Sequence, residues 1–319
     1  MGEFELIERF FKRAARHADV GIGDDCAIWT PSPGHQLAIS ADMLVEGRHF
    51  LSTVNPRDLG HKALAVNLSD LAACGASPRA FLLSLSLPRV DEHWLSGFSE
   101  GLFALADAQG CELIGGDTTQ GPLNVSITVM GEVPAHQAIL RSGAQAGDDV
   151  YVSGHLGDAR LALDAFRGTV SLPQSVFELA RSRMERPEPR TALGVSLRGV
   201  ATAMADVSDG LLGDLGHILK ASRVGADIHI DAIENLMLTH DAWACPQDLL
   251  QRCVLSGGDD YELVFTCHPS NHQRIQALGE ACGTAVTRIG RITADPRLLL
   301  LSQDGSVLPN TFSSFDHFA

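Results

Sequence analysis

Aspartate stands beside glycine or serine at several points of the chain where an apolar run ends. In "LIGGDTTQGP", from Leu113 to Pro122, a glycine pair and an aspartate directly follow apolar residues. A single phrase of this kind is ordinary turn chemistry, because Asp often bonds to its own backbone. The pattern recurs in both halves of the chain, which indicates a shared purpose: "GIGDDCA" begins at Gly21, "VNLSDLAACGA" at Val66, "VSDGLLGDL" at Val207 and "LSGGDDYEL" at Leu255.

The binding of magnesium and phosphate is the chemistry that suits this pattern. Mg²⁺ prefers oxygen ligands, and in nucleotide sites it is held by a few carboxylates together with the phosphates. Neighbouring glycines let a phosphate chain approach the backbone and its N–H groups. Burying several carboxylates without cations would be costly. The sequence therefore predicts a metal–phosphate site formed by some of these residues: Asp24, Asp25, Asp42, Asp70, Asp117, Asp206 and Asp209.

Some of these positions also have a structural explanation, and the residues alone leave both open. Ser69 and Asp70 suit the middle of a helix as an ordinary polar pair. Ser208 and Asp209 could cap the helix that starts in "GLLGDLGHIL", because Ser and Asp are preferred at helix N-caps. Capping and phosphate binding are compatible, since a helix N-terminus attracts anions.

Three residues outside the acidic phrases are candidates for ligand contacts. His49 in "VEGRHF" could contact a substrate or could be a structural residue beside its aromatic neighbour. Arg141, at the proposed domain junction, could pair with a phosphate or could be solvated surface. Phe315 in "FSSFDHFA" could stack on a ring or could seal the terminal strand.

The composition excludes several other classes of protein. The formal net charge of −15 argues against nucleic-acid binding, because a phosphate backbone requires Lys and Arg. The longest apolar runs are far shorter than the ~20 residues of a spanning helix, and the N-terminus mixes charges with apolar residues, unlike a signal peptide. Seven cysteines without a C-x-x-C pair predict reduced thiols and no zinc or iron–sulfur site. We therefore predict a cytoplasmic protein without a membrane partner.

The known nucleotide-binding motifs are absent from the sequence. The chain has no G-x-x-x-x-G-K-[ST] and no G-x-G-x-x-G, and it lacks the H-R-D and D-F-G segments of protein kinases. A phosphate site in this chain therefore requires another architecture.

The elements that would position these residues form two successive α/β sets. An amphipathic helix opens the first set, and helices are predicted from Leu59 to Gly75 and from Asp91 to about Gln109. Its strands are "CAIW", "QLAISADML", "AFLLSLSLP", "CELIGG" and "NVSITVMGEV". A fresh turn and strand, "AGDDVYVSG", begins the second set, which continues through "ATAMADVSDGLLGDLGHILKAS" and "YELVFTCH". We predict domains over residues 1–145 and 146–319 that face one cleft.

Taken in order, the phrases resemble those of the thiamine-monophosphate kinase family. The likeness runs from "GEFELI" to the terminal "FDHFA". "VNLSDLAACGA" and "GGDTT" occur in looser form across the superfamily of aminoimidazole ribonucleotide synthetase, selenophosphate synthetase and the hydrogenase maturation dehydratase. "VEGRHF", "GGDDYEL" and the terminal "DHF" point to the thiamine branch. The resemblance implies the two-domain synthetase fold of this superfamily, an α/β (α+β) fold. Its mixed sheets carry helices on one side, its active-site cleft lies between the domains, and it forms a homodimer.

The resemblance also implies a role for particular residues. Three groups follow from it: magnesium ligands at Asp25, Ser40, Ala41, Asp42, Asp70, Asp117, Asp206 and Asp209; nucleotide contacts at Gly116, Asp117, Arg141 and Ser208; and substrate contacts at His49, Asp259 and Phe315. Two positions depart from the family pattern. Ala41 replaces a hydroxyl residue, so only its carbonyl could bind metal, and Asp259 replaces a glutamate that is longer by one methylene.

The implied activity is the transfer of the γ-phosphoryl group of ATP to thiamine monophosphate, assisted by several Mg²⁺ ions. A phosphate monoester has its second pKa near ~6, so the acceptor needs no general base, and no covalent intermediate is expected. Two alternatives stay open: a superfamily relative that phosphorylates another small acceptor, and a Mg–nucleotide sensor without turnover. The plain amphipathic N-terminus argues against the first, and only Ala41 and Asp259 favour the second.

Overall fold

The computed structural model describes residues 1–312, which divide into two compact units. The first unit comprises Met1–Leu71 and Ala76–Gln137, and the second comprises Ala72–Gly75 and the chain from Ala138 onward. The functional division predicted at residue 145 stays a prediction.

The first unit contains a four-stranded mixed sheet with the strand order β1-β4-β2-β3. Strands β2 and β3 are parallel, whereas β4 is antiparallel to both β1 and β2. The elements in chain order are α1 (Glu3–Phe10), β1 (His35–Val45), α2 (Pro56–Ala73), β2 (Ser77–Leu87), α3 (Glu92–Gln109), β3 (Glu112–Gln120) and β4 (Asn124–Pro134).

Glycine allows helices α2 and α3 to approach each other closely. A Cβ atom at Gly101 would lie 1.8 Å from the backbone oxygen of Arg57, and one at Gly60 would lie 2.0 Å from the backbone oxygen of Phe98. Any side chain at these two positions would force the helices apart. Alternate residues of β2, among them Phe81 and Leu83, are buried as its period-two pattern requires.

The second unit contains a seven-stranded mixed sheet with the strand order β11-β10-β7-β9-β5-β8-β6. Tyr151 on β5 is fully buried and stacks on Phe265 of β8, with ring centroids 5.5 Å apart. Its elements are β5 (Asp149–Ser153), α4 (Asp158–Phe166), α5 (Gln174–Glu185), α6 (Thr191–Ser196), β6 (Ala201–Val207), α7 (Leu211–Ser222), β7 (Gly225–His229), α8 (Ile230–Ile233), α9 (Gln247–Ser256), β8 (Glu262–Cys267), α10 (His272–Ala281), β9 (Val286–Thr293), β10 (Leu298–Leu301) and β11 (Val307–Leu308).

The structure corrects two details of the predicted elements. "CAIW" forms no extended strand, and its backbone contributes only an isolated bridge between Val20 and Ile28. The apolar face predicted for α1 is incomplete, because Leu6 is buried but Phe4 is 84% exposed. In the described part of the chain, no helix is both long and apolar enough to cross a membrane.

Two carboxylates of the first sheet hold both ends of the acidic segment that contains "GIGDDCA". Glu112 of β3 accepts hydrogen bonds from the backbone N–H groups of Arg16, His17 and Ala18, at 2.6, 2.9 and 2.6 Å. Glu132 of β4 accepts one from Ser32 N–H at 2.7 Å. These bonds fix the segment before and after the acidic phrase.

The hydrogen bonds lower the pKa of both anchoring carboxyls. Burial alone would raise the pKa of Glu112, but its three N–H donors outweigh that effect and bring the pKa below its ordinary value of 4.5. The pKa of Glu132 is lowered in the same way by Ser32 and by the Arg79 guanidinium. Because each pKa is lower in the folded state, the stabilisation is present above pH ~4.5 and is lost as the pH falls.

We predict that Glu112→Gln lowers the free energy of unfolding at pH 7 by about 2 kcal/mol, because one carboxylate oxygen becomes an NH₂ group that faces an N–H donor. Urea denaturation between pH 3 and 7 measures this change. The gap between wild type and variant should shrink below pH ~4.5, as wild-type Glu112 becomes protonated. Glu100→Gln is the control, since Glu100 forms only an exposed ion pair with Arg57. A pH-independent gap would contradict the assignment.

Candidate metal and phosphate site

Strand β1 and helix α2 bring three of the predicted metal ligands together in the first unit. Ser40 and Asp42 are two residues apart on β1 and share the face of the sheet that carries buried Leu44. The Ser40 hydroxyl donates a short hydrogen bond to Oδ2 of Asp70 on α2. Asn67, one turn before Asp70, accepts a hydrogen bond from Asp42 N–H at 3.0 Å. Asp70 therefore lies within the last turn of helix α2 and faces the middle of β1.

Ala41 lies between these residues on β1 but its methyl group points to the other face, because side chains alternate along a strand. It pairs with Thr128 of β4. Its carbonyl is therefore the only metal-binding atom that Ala41 can offer.

Strand β3 carries the predicted nucleotide contacts. Gly116 pairs with Leu83 of β2, and Asp117 pairs with Ser84. Gly116 has φ 149°, and a Cβ atom there would lie 1.9 Å from the backbone oxygen of Leu83. Only glycine fits so close to β2, and Asp117, which is exposed, follows it directly.

Asp117 does not join the group formed by Ser40, Asp42 and Asp70. In the described sheet, β1 and β3 are the two outer strands, separated by β4 and β2. Three strand spacings of ~4.8 Å put Asp117 roughly 14 Å from β1. Asp25 is exposed, and its N–H donates to Oδ1 of Asp24 at 2.8 Å. Asp24 thus accepts a hydrogen bond from the adjacent backbone, as expected for an aspartate in a turn.

The described residues contain no preformed metal cage, because no three His, Cys, Asp or Glu side chains among them are close enough to hold an ion. The donor set nevertheless suits Mg²⁺. Its atoms are carboxylate, hydroxyl and carbonyl oxygens, and Mg²⁺ keeps several waters and is bound through one or two carboxylates plus phosphates. The arrangement fits an ion that arrives with a nucleotide rather than one enclosed by protein alone.

In the second unit, the turn between β6 and α7 carries Asp206, Ser208 and Asp209. Asp206 is buried at the end of β6. The predicted capping role of Ser208 and Asp209 is wrong, because the N-cap of α7 is Gly210, whose φ of 114° favours glycine. α7 has no side-chain cap; instead, Oδ2 of Asp214, inside α7, accepts hydrogen bonds from two N–H groups that precede the helix, Ser208 at 3.1 Å and Asp209 at 3.0 Å.

Asp214 is the buried partner of this turn, and the sequence analysis missed it. Burial raises the pKa of Asp214 to about 7, although the two N–H groups and the charge of Arg141 act to lower it. Since Asp214 occupies these N–H groups, a phosphate at the turn would meet the Ser208 hydroxyl and the aspartate side chains.

The "GGDDY" loop, residues 257–261, is connected to the same turn by backbone hydrogen bonds. Asp259 N–H donates to Ser208 O, and Tyr261 N–H donates to Val207 O, each at 2.8 Å. Gly258, Asp259 and Tyr261 all have left-handed φ values of 71°, 64° and 55°. The structure thus brings the predicted substrate residue Asp259 beside the predicted nucleotide residue Ser208.

Two further carboxylates anchor this loop and were also missed from the sequence. Asp260 is buried and accepts a hydrogen bond from Gly157 N–H at 2.9 Å, and its burial raises its pKa well above the ordinary value. Glu262 is 0% exposed and accepts hydrogen bonds from Ser153, Arg183 and Arg190. Acidic residues ahead of a strand are normally taken as exposed, so only the buried character of β8 could have indicated them.

The remaining predicted residues lie in different surroundings. Nδ1 of His49 accepts a hydrogen bond from Val45 N–H at 3.0 Å, which gives this ring a structural role in the turn after β1. Arg141 is exposed, and its carbonyl accepts a hydrogen bond from Ser222 at the end of α7. Phe315 lies outside the described residues.

The fold and the oxygen-rich site correspond to a known class of proteins. The family model described as AIR synthase related protein, N-terminal domain, matches residues 23–133, and its C-terminal counterpart matches residues 145–300. The predicted two-domain synthetase fold is therefore confirmed.

Individual relatives identify the branch within this class. The thiamine-monophosphate kinase of Salmonella typhimurium is 43% identical over 326 residues, covering 100% of this chain and 98% of the relative. The crystal structure of thiamine-monophosphate kinase from Stenotrophomonas maltophilia is 44% identical with a TM-score of 0.84, covering 91% of this chain and 92% of that one. A structure of AaThiL complexed with AMPPCP and TMP is 27% identical with a TM-score of 0.75, covering 91% and 89%. The chain belongs to the thiamine-monophosphate kinase family.

We predict that Arg190→Ala destabilises the second unit by about 3 kcal/mol, because it leaves the buried Glu262 carboxylate with one guanidinium fewer. Urea denaturation followed by tryptophan fluorescence measures the loss. Arg297→Ala is the control, since Arg297 pairs with Asp295 at the surface and such pairs contribute little. Equal stability of the two variants would show that the buried pair does not hold the loop.

Proposed function

We propose that this protein transfers the γ-phosphoryl group of ATP to thiamine monophosphate, forming thiamine diphosphate and ADP. The observation that carries the proposal is 43% identity to a named thiamine-monophosphate kinase across the full chain. The related structure with AMPPCP and TMP supports a nucleotide and a thiamine ester as the two substrates.

The proposed reaction is a direct in-line transfer. The acceptor is a phosphate monoester with a second pKa near ~6, so its oxygen is already anionic at neutral pH and needs no general base. The residues must instead align two anions that repel each other. Bound Mg²⁺ would supply the neutralising charge, and its proposed ligands are Asp25, Ser40, the Ala41 carbonyl, Asp42, Asp70, Asp117, Asp206 and Asp209.

Each unit contributes its own part to the proposed chemistry. The close approach of Gly116 to β2 supports a role in presenting Asp117 and its backbone to the nucleotide, and the exposed cation of Arg141 suits a phosphate. For the acceptor, the carboxylate of Asp259 would balance the positive thiazolium ring, with His49 and Phe315 as further contacts. We assign metal binding, nucleotide binding and dimerisation to residues 1–145 and completion of both substrate sites to residues 146–319, in a cytoplasmic enzyme.

We also propose that the protein is a homodimer formed through β1. The outward side chains of this strand make an apolar row, with Leu37, Ile39 and Met43 exposed by 43%, 63% and 53%. They alternate with Ser40 and Asp42, so the row lies on the other face of the strand. An apolar outer strand of this kind is usually covered by a partner.

Incubation of the purified protein with ATP, Mg²⁺ and thiamine monophosphate, followed by chromatography of the thiamine esters, tests the activity. We expect thiamine diphosphate only when the metal and the monophosphate are both present. Asp70→Asn keeps an acceptor for Ser40 but removes the charge, so turnover should fall by more than about 100-fold because a metal ligand is lost. Asp107→Asn, an exposed carboxylate of the same unit, should remain active.

Two results would contradict this assignment. Near-normal turnover of Asp70→Asn at saturating Mg²⁺ would exclude Asp70 as a ligand. Tight Mg–ATP binding by the wild type without any diphosphate would favour the nucleotide sensor, to which the Ala41 and Asp259 departures point.

For the dimer, light scattering should give twice the mass of the chain for the wild type and a single mass for Ile39→Glu, because a charge on each copy would be buried against its equivalent. Val90→Glu, another exposed apolar position of the first unit, should not change the mass. A dimeric Ile39→Glu would place the interface elsewhere.

A further inference from the structure

Asp214 holds the turn that precedes its own helix, α7. A single oxygen of its carboxylate accepts both N–H groups of the β6–α7 turn, from Ser208 and Asp209. The side chain is buried, so water does not compete with these bonds. Gly210, the N-cap of α7, has no side chain, and the N–H groups of Ser208 and Asp209 just before it have Asp214 as their acceptor.

The β6–α7 turn also fixes the "GGDDY" loop at residues 257–261. The carbonyl groups of Val207 and Ser208 accept hydrogen bonds from Tyr261 and Asp259, and a Cβ atom at Gly258 would lie 2.6 Å from the Ser208 oxygen. The turn therefore has different partners on its two sides: the N–H groups of Ser208 and Asp209 bond to Asp214, and the carbonyl groups of Val207 and Ser208 bond to the loop.

Strain makes the loop sensitive to this support. Asp259 and Tyr261 both have φ values in the left-handed region, which costs of order 1 kcal/mol for each residue that is not glycine. Such a conformation persists only where surrounding contacts impose it. The two hydrogen bonds to the turn are contacts of this kind.

We propose that Asp214 is a positioning residue that sets the turn at Ser208 and Asp209 and, through that turn, the strained loop that carries Asp259. The inference rests on the proposed function insofar as it assigns nucleotide binding to the turn and acceptor binding to the loop. In this proposal, Asp214 touches neither substrate. It makes the nucleotide contact at the turn and the acceptor contact at the loop depend on each other.

Amide hydrogen exchange tests the connection without any assay of activity. In Asp214→Ala, the amides of Ser208 and Asp209 lose their acceptor, and we expect the amides of Asp259 and Tyr261 to exchange at least about tenfold faster as well. Asp214→Asn should restore protection at all four amides, since one amide oxygen can accept both bonds. If only the amides of Ser208 and Asp209 exchange faster, the connection from Asp214 to the loop is disproved.

Kinetics provide the functional readout. Asp214→Ala should raise the KM for the thiamine ester as well as that for ATP by about tenfold, and Asp214→Asn should return both towards wild type. The matched control is Asp91→Ala, because Asp91 likewise accepts two backbone N–H groups at a helix start, from His93 and Trp94, but belongs to the first unit. It should lower stability and leave both KM values unchanged.

A second variant keeps the proposal testable if Asp214→Ala does not fold. Asp214→Glu retains the carboxyl group but displaces it by one methylene, so the exchange of the Asp259 amide and the KM of the acceptor should both change. Wild-type values for both in Asp214→Glu would overturn the proposal. A wild type that binds Mg–ATP but forms no thiamine diphosphate would instead refute the proposed function, and the exchange data would still decide the role of Asp214.

Discussion

Hydrogen bonds from backbone N–H groups to buried carboxylates hold the acidic loops of this protein in place. Glu112 accepts three such bonds and Asp214 accepts two, while Asp260 accepts one from Gly157. A buried carboxyl group loses its hydration, and N–H dipoles offset that loss to different extents: the donors lower the pKa of Glu112, whereas burial still raises the pKa of Asp214 and of Asp260. Each of these carboxyl groups therefore requires one conformation of the backbone that donates to it. The same bonds fix the conformation of the loops that carry Asp25, Asp209 and Asp259.

Neutral donors have an electrostatic consequence that basic side chains would not have. An N–H group carries no formal charge, so these hydrogen bonds add no positive charge to the acidic turn at Asp209. A chain with a formal net charge of −15 thus keeps a potential that attracts divalent cations. Basic side chains, unlike the N–H donors, neutralise a carboxylate away from the proposed metal ligands. Arg183 and Arg190 pair with Glu262, at the point where the loop joins β8.

The sequence was sufficient where the signal is local and insufficient where it depends on contacts between distant residues. Motif order indicated the fold, and apolar periodicity located most of the helices and strands. The contact of Ser40 with Asp70 joins a strand to a helix thirty positions away, which periodicity cannot show. At Ser208 and Asp209, residue preference predicted a helix cap, whereas Gly210 occupies the N-cap of α7 and the two residues donate their N–H groups to the buried Asp214.

The local structure explains the two positions that depart from the family pattern, Ala41 and Asp259. The methyl group of Ala41 shares the face of β1 with Ile39 and Met43, so the loss of a hydroxyl there makes the proposed dimer face more apolar and leaves the carbonyl unchanged. Asp259 occupies a left-handed conformation, φ 64°, which Asp adopts more readily than most side chains. A shorter acid at this position relieves backbone strain at the expense of reach, and the hydrogen bond to Ser208 then determines how far its carboxylate extends. The proposed contact of Asp259 with the acceptor would therefore depend on the backbone of the turn as much as on the side chain.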